Sequence, residues 1–381
     1  TWTNTTRPND WTTYQNITQE STEKHAGSFS AKQTKDASGG YKKLIQNIPG
    51  TTVGESYTVS FWYKIAPDAG SVVKMWSNFR DSDGAFLDGT TDDITLPVNG
   101  NVWTKYEETV TAPATSVKFW LELRTYHNTT VYFDDFSFVH NFTWTGAANN
   151  NYNDPLNWSS NTVPNVNYDV IIPSSANIDL SGDLSVHSMS IAAGASIIST
   201  GTITGSISYT RTIPTDNWYL ISSPVAGQDK DAFVSASNLA TSNGSNVGFA
   251  DYENSTGAWS YYQSTDSGTG DFGLGEGHAV KLNTAGDVVF TGTFNDADAS
   301  IALSSTTEYN LIGNPYLASV SVGELLGQAN IGDLLSELTV YVWNQALGTY
   351  DLKNIGADME IAPGQAFFVS AKTAGNFGIT E

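Results

Sequence analysis

The chain has 381 residues, 39% hydrophobic and 15% charged, with 17 basic and 39 acidic side chains for a net charge of −22. Such a field repels nucleic acid and anionic membrane surfaces, and no basic stripe offsets it. There is no cysteine, which excludes disulfides and thiolate metal sites, and no apolar run approaches the roughly 18 residues of a spanning helix.

This length calls for two or three domains. Abundant Thr, Ser, Asn and Gly with 12% aromatics suit short strands and turns, so the expected class is all-β. Scarce Lys and Asn/Asp/Gly/Thr-rich loops point to a secreted or outer-surface protein. The opening at Thr1, without Met or an h-region, is expected to reflect a signal peptide removed or left out. Charge is uneven. Residues 1–140 hold 12 basic and 16 acidic residues and six of the eleven Trp, whereas 141–381 hold 5 and 23. Ligand contact is therefore sought in the first segment.

Residues 1–140 alternate as strands at 57–65, 72–79, 103–110, 117–123 and 131–139, with turns at 67–70 and Asp83-Gly84. Period-2 alternation divides each strand into two faces. Tyr57, Val59, Phe61, Ile65, Val73, Met75, Phe79, Val117, Phe119, Leu121 and Leu123 fall on the apolar phase. The opposite phase carries Trp62 and Lys64, then Lys74, Trp76, Asn78 and Arg80, then Trp120, Glu122 and Arg124. One Trp in a β-sandwich is ordinarily packing. Three on the polar phase, each among cations, amides or acids, favour a platform for sugar rings. Such stacking adds about 0.5–1.5 kcal/mol per ring beyond burial, which suits micromolar to millimolar binding. Trp103, at a strand start, is assigned to the fold. The acidic run Asp81, Asp83, Asp88, Asp92, Asp93 lacks EF-hand spacing and is read as a solvated loop.

Tyr57-Thr-Val-Ser-Phe-Trp-Tyr-Lys64, Val102-Trp103-Thr-Lys-Tyr106 and Val131-Tyr-Phe-Asp-Asp-Phe-Ser-Phe138 resemble carbohydrate-binding modules of families four and nine, in the galactose-binding-domain-like jelly-roll group. The resemblance covers nearly all of 1–140, though the usual acidic opening strand is not evident before Trp11. It implies a polysaccharide partner: β-glucan, xylan or, given Lys64, Lys74, Arg80 and Arg124, a uronate-containing glycan. It also implies a structural calcium site made by Glu23 and one of Asp134 and Asp135. Adjacent strand residues point to opposite sides, so only one of the two is expected inward, and Asp135 is preferred.

Residues 141–210 carry an Asn-rich loop and then short apolar beats from Val170 to Ile207, read as a β-rich connector with one or two solenoid coils. Residues 211–381 contain a duplication. Trp218-Tyr-Leu-Ile-Ser-Ser-Pro224 matches Tyr309-Asn-Leu-Ile-Gly-Asn-Pro315, Tyr252–Trp259 matches Tyr341–Tyr350, and 275–281 matches 363–369. The order and spacing predict a pseudo-twofold β-sandwich with halves at about 211–300 and 301–381, and one helix over 322–338. Trp218, Trp259, Tyr261, Tyr262 and Trp343 could form a second sugar site, but core and hairpin packing is the favoured reading. These segments resemble surface proteins of Bacteroidetes-type bacteria exported by type IX secretion. That resemblance implies linkage to a sorting or catalytic domain outside this chain.

Gly268-Thr-Gly-Asp-Phe-Gly273 satisfies G-x-G-x-x-G without a βαβ unit, the five His are scattered, and no elbow motif supports Ser222 or Ser223 as a nucleophile. The expected function is non-catalytic glycan binding. The alternative is a structural or adhesive surface protein whose Trp are packing.

Overall fold

The computed structural model describes residues 2–66, 70–87, 93–242 and 244–380. Pro67, Asp68 and Ala69 of the expected turn and Asp88 and Asp92 of the acidic run lie outside them. The chain is all-β apart from short helices, and it divides into two compact units, Thr1–Phe142 and Thr143–Glu381.

The first unit contains β1 (Trp2–Asn4), β2 (Arg7–Pro8), β3 (Thr13–Tyr14), β4 (Ile17–Glu20), β5 (Ser30–Lys35), β6 (Tyr41–Pro49) and β7 (Ser56–Ile65). There follow β8 (Val72–Met75), β9 (Asn78–Arg80), β10 (Phe86–Leu87), β11 (Ile94–Leu96), β12 (Thr104–Thr111), β13 (Lys118–Tyr126) and β14 (Thr129–Thr143). One sheet has seven strands, ordered β10-β9-β13-β6-β3, with β8 also paired to β13 and β11 to β8. The other layer is formed by β12, β7, β14, β5 and β4. Alternation aims Val59, Phe61, Val73, Met75, Phe119, Leu121 and Phe133 into one core between the layers, all fully buried. Six strands before residue 50 escaped the sequence reading, because their polar inward residues (Gln33 and Lys35 among them) break the alternation.

In β14 the register slips between Asp134 and Ser137, and Asp135 takes a left-handed φ of 46°. A bulge of this kind overrides period-2 alternation.

The second unit opens with a 3-10 turn at Pro155–Asn157, then β15 (Asp169–Ile172), β16 (Asn177–Leu180), β17 (Leu184–Ile191), β18 (Ser196–Ser199) and β19 (Ile203–Ile213). β15, β17 and β19 pair in parallel, as do β16 and β18, which is the stacking of solenoid coils. Ile172, Ile191, Ile178 and Ile197 fill the interior.

The rest comprises β20 (Trp218–Ile221), α1 (Lys230–Ala236), β21 (Asn246–Glu253), β22 (Ala258–Gln263), β23 (His278–Lys281), β24 (Gly286–Gly292) and β25 (Ala299–Leu303). Then come β26 (Tyr309–Gly313), β27 (Val320–Ser321), α2 (Val322–Leu326), α3 (Ile331–Leu334), β28 (Leu335–Asn344), β29 (Thr349–Asn354), β30 (Glu360–Ile361), β31 (Ala366–Ala371) and β32 (Gly375–Ile379). β19 also pairs with β24, so the solenoid segment and the duplicated segment share one unit.

The expected single helix over 322–338 is two short ones. Ser321 caps α2, Gly327 ends it, and Asn330 at φ 65° turns the chain before α3. From Leu335 the residues continue as β28. Sequence reading also missed α1, which Asp229 caps by accepting from the Ala232 N–H at 2.7 Å.

Two four-stranded sheets carry the duplication, ordered β20-β23-β21-β22 and β26-β31-β28-β29. Their registers coincide. Leu220 faces Ala279 as Leu311 faces Phe368, and Tyr252 faces Trp259 as Trp343 faces Tyr350. Isolated bridges Ile221–Gln365 and Glu276–Ile312, themselves related by the duplication, join the two sheets. The halves approach closely at Gly313, where an added Cβ would lie 2.3 Å from the Ser222 Cβ.

Candidate functional site

In an antiparallel ladder directly opposed residues share a face. On the outer surface of the seven-stranded sheet, the β13–β6 and β13–β9 registers place Trp120 between Asn47 and Asn78. The β13–β6 and β13–β8 registers place Arg124 between Lys43 and Lys74. Arg80 lies opposite Lys118 at the other end of this face.

Glu122 organises the face. Its carboxylate accepts from Trp120 Nε1 at 2.9 Å and from Arg124 Nε at 2.6 Å, and pairs with Lys43 Nζ at 3.1 Å. Burial is the largest single influence on Glu122 and pushes its pKa up. The bonds from Trp120, Arg124 and Lys43 together outweigh it and hold the group below the usual carboxylate range. The guanidinium of Arg124 lies 3.9 Å from the centre of the Trp76 ring and 4.7 Å from that of Tyr41, and Arg80 stands 5.0 Å from the Trp120 ring. Each indole is partly exposed with a guanidinium over it.

Four buried polar atoms on this face have no hydrogen-bond partner: Asn47 Oδ1, Asn78 Oδ1, Trp76 Nε1 and Arg80 Nε. Two accept and two donate. Left unmet, each costs about 1–3 kcal/mol.

The nine expected binding residues do not share one surface. Lys74, Trp76, Asn78, Arg80, Trp120, Glu122 and Arg124 lie together on the seven-stranded sheet. Trp62 and Lys64 are on β7 of the other layer, pointing away from the common core. Strand alternation separates inside from outside but cannot say which sheet a strand joins. Trp62 is stacked on His25, with ring centres 3.7 Å apart, and is no open platform. Lys64 is 9% exposed and bonds Glu23 at 2.5 Å. Of the cations offered for a uronate, Lys74 is paired with Asp93 at 2.6 Å and Arg124 with Glu122. The sequence reading missed Tyr41, Lys43 and Asn47. Their strand carries Ile45 on the same face, which obscured the alternation.

Glu23 and Asp135, the residues implied for calcium, do not form a donor set. Lys64 holds Glu23, and His25 Nδ1 holds Asp135 at 2.7 Å. Asp134 accepts the backbone N–H of His25 at 2.9 Å, so the loop presents a donor where calcium needs oxygen. The bulge also corrects the expectation that only one of the two acids reaches this loop, since both contact His25. Among the described residues no group of three or more His, Asp or Glu is placed to hold a metal.

No family model and no curated protein matches this chain. Among solved structures, the enzymatically active domain of tailspike protein 4 from bacteriophage CBA120 is 16% identical at a TM-score of 0.30, over 35% of this chain and 19% of that one. The CBM22-1 xylan-binding domain of Paenibacillus barcinonensis Xyn10C is 16% identical at a TM-score of 0.27, over 34% of this chain and 85% of that one. A CBM4 structure is 15% identical at a TM-score of 0.27, over 35% of this chain and 96% of that one. The chain is similar to these β-rich modules over about a third of its length.

Proposed function

We propose that the outer face of the seven-stranded sheet binds a polysaccharide without cleaving it, as the accessory part of a secreted or surface protein. The observation that carries this is the placing of two half-exposed indoles, Trp76 and Trp120, on one outer face beside the amides Asn47 and Asn78. Indole faces and edges suit the C–H patches of sugar rings. Neutral β-glucan or xylan fits better than polyuronate, because Lys43, Lys74 and Arg124 are already paired within the protein. The lowered pKa of Glu122 does not suit the part of a glycosidase acid, which calls for a raised one, and this supports the non-cleaving reading.

Affinity electrophoresis against β-glucans, xylan, alginate and chitin tests the reading. Retardation by a neutral polymer that Trp120→Ala weakens supports it. If no polymer retards the protein, or the variant migrates like the parent, it fails. The adhesive alternative draws on Trp62, whose packing against His25 shows one outward Trp serving structure.

A further inference from the structure

The duplicated segment carries a second aromatic surface that the reading above does not use. Where the two four-stranded sheets meet, two clefts lie side by side, of about 260 and 510 Å³. Trp259 and Tyr350 line both, and these residues are each other's counterparts in the duplication. The remaining walls are also related. Trp218, Ala250, Ala279 and Trp343 of the smaller cleft occupy the positions of Tyr309, Tyr341, Phe368 and Tyr252 in the larger one. A third cleft of about 290 Å³ adjoins the smaller one through Trp218 and Tyr261, and adds Ser242, Asn246 and Lys281. Together they make one connected track, the two smaller parts just below and the larger part within the roughly 300–1,000 Å³ typical of ligand sites.

Core packing accounts for part of this surface: Leu220, Ala250, Ala279 and Phe368 are buried in one cluster, with Trp218, Tyr252, Trp259, Tyr341 and Trp343 half-buried against it. Large aromatic and aliphatic side chains stand exposed at its mouth, Tyr261 at 42%, Tyr309 at 43% and Leu352 at 62%. Ala250 and Ala279 leave open the space that Tyr341 and Phe368 occupy in the other half.

We infer that this track binds an extended neutral oligosaccharide, independently of the seven-stranded face. The two central clefts are lined by rings, phenols and small residues with no ionised side chain, and they sit in a segment (141–381) of 5 basic and 23 acidic residues. That charge turns away uronates and other polyanions. The Tyr252 and Tyr350 phenols are neutral hydrogen-bond donors at pH 7, and burial pushes both further up. Sugar rings match rings flanked by hydroxyls, whereas an apolar peptide would leave the phenols and the Ser242–Asn246 end unused.

The test uses the full chain carrying Trp76→Ala and Trp120→Ala, which silences the other face, so failure there and failure here are separate results. Cellohexaose, xylohexaose, laminarihexaose and mannohexaose are titrated calorimetrically, with hexagalacturonate as the anionic control. Saturable binding of a neutral hexasaccharide is expected. Ala279→Phe, which gives the smaller cleft the ring its counterpart carries, should weaken it about tenfold or more. Tyr261→Ala, at an exposed position, should weaken it as well without lowering the melting temperature. The inference is overturned if no neutral hexasaccharide binds at about 5 mM, if hexagalacturonate binds as tightly, or if both variants bind like their parent.

Discussion

Arg124 lies over Trp76, its guanidinium carbon 3.9 Å from the ring centre, while its Nε is held by Glu122. One residue therefore fixes both the indole and the acid between the two tryptophans. Arg124→Lys keeps the charge but loses the planar stack and the fork. It should cost about 0.5–2 kcal/mol in thermal or urea unfolding and weaken polymer retention together. Retention unchanged with stability reduced would show Arg124 to be structural only.

Glu122 predicts a pH dependence. Its folded pKa lies below the unfolded value, so its contribution is complete above the usual carboxylate range and is lost as pH falls through the lowered value. The melting-temperature gap between wild type and Glu122→Gln should be full at pH 7 and close as the solution is acidified below about pH 4. A gap that widens on acidification would contradict the assignment.

The two sides of the first unit should respond differently to loss of an indole. Trp120→Ala is expected to weaken retardation by a neutral polymer. Trp62→Ala removes only the partner of His25 and should leave retardation intact, while lowering the melting temperature by a few degrees. Equal loss of retardation in both would return Trp62 to the site.

At the loop of Glu23, the protein supplies its own cations. A chelator should leave the melting temperature unchanged, and Lys64→Met should lower it by leaving Glu23 unpaired. A drop with chelator that calcium restores would reinstate the metal.

Gly313→Ala should destabilise the second unit by about 1–3 kcal/mol, because the new methyl meets the Ser222 Cβ where the two halves touch. The same substitution at Gly332, which has open space around it, should cost less and so serves as the control.

Much of this was legible in the sequence. Alternation in 57–65 and 117–123 gave strands and inward residues, since each lies between an apolar core and solvent. The repeated motifs gave the duplication, whose registers coincide residue by residue. Three things were not legible. Trp62 shares its phase with Trp76 and Trp120 but not their sheet, because sheet membership depends on long-range pairing. The bulge at Asp135 cancelled a parity argument that holds only for regular strands. Tyr41 and Asn47 stayed hidden because the apolar Ile45 stands between them on an outward face.

The double pairing of β19 has a mechanical consequence. One edge of this strand bonds in parallel to the solenoid coils, and the other bonds in antiparallel to β24 across Ile207–Ile213. A pull directed along β19 loads those ladders in shear, with many bonds resisting at once. Residues 169–213 are thus a stiff strut: they hold their length under tension instead of extending like an entropic spring.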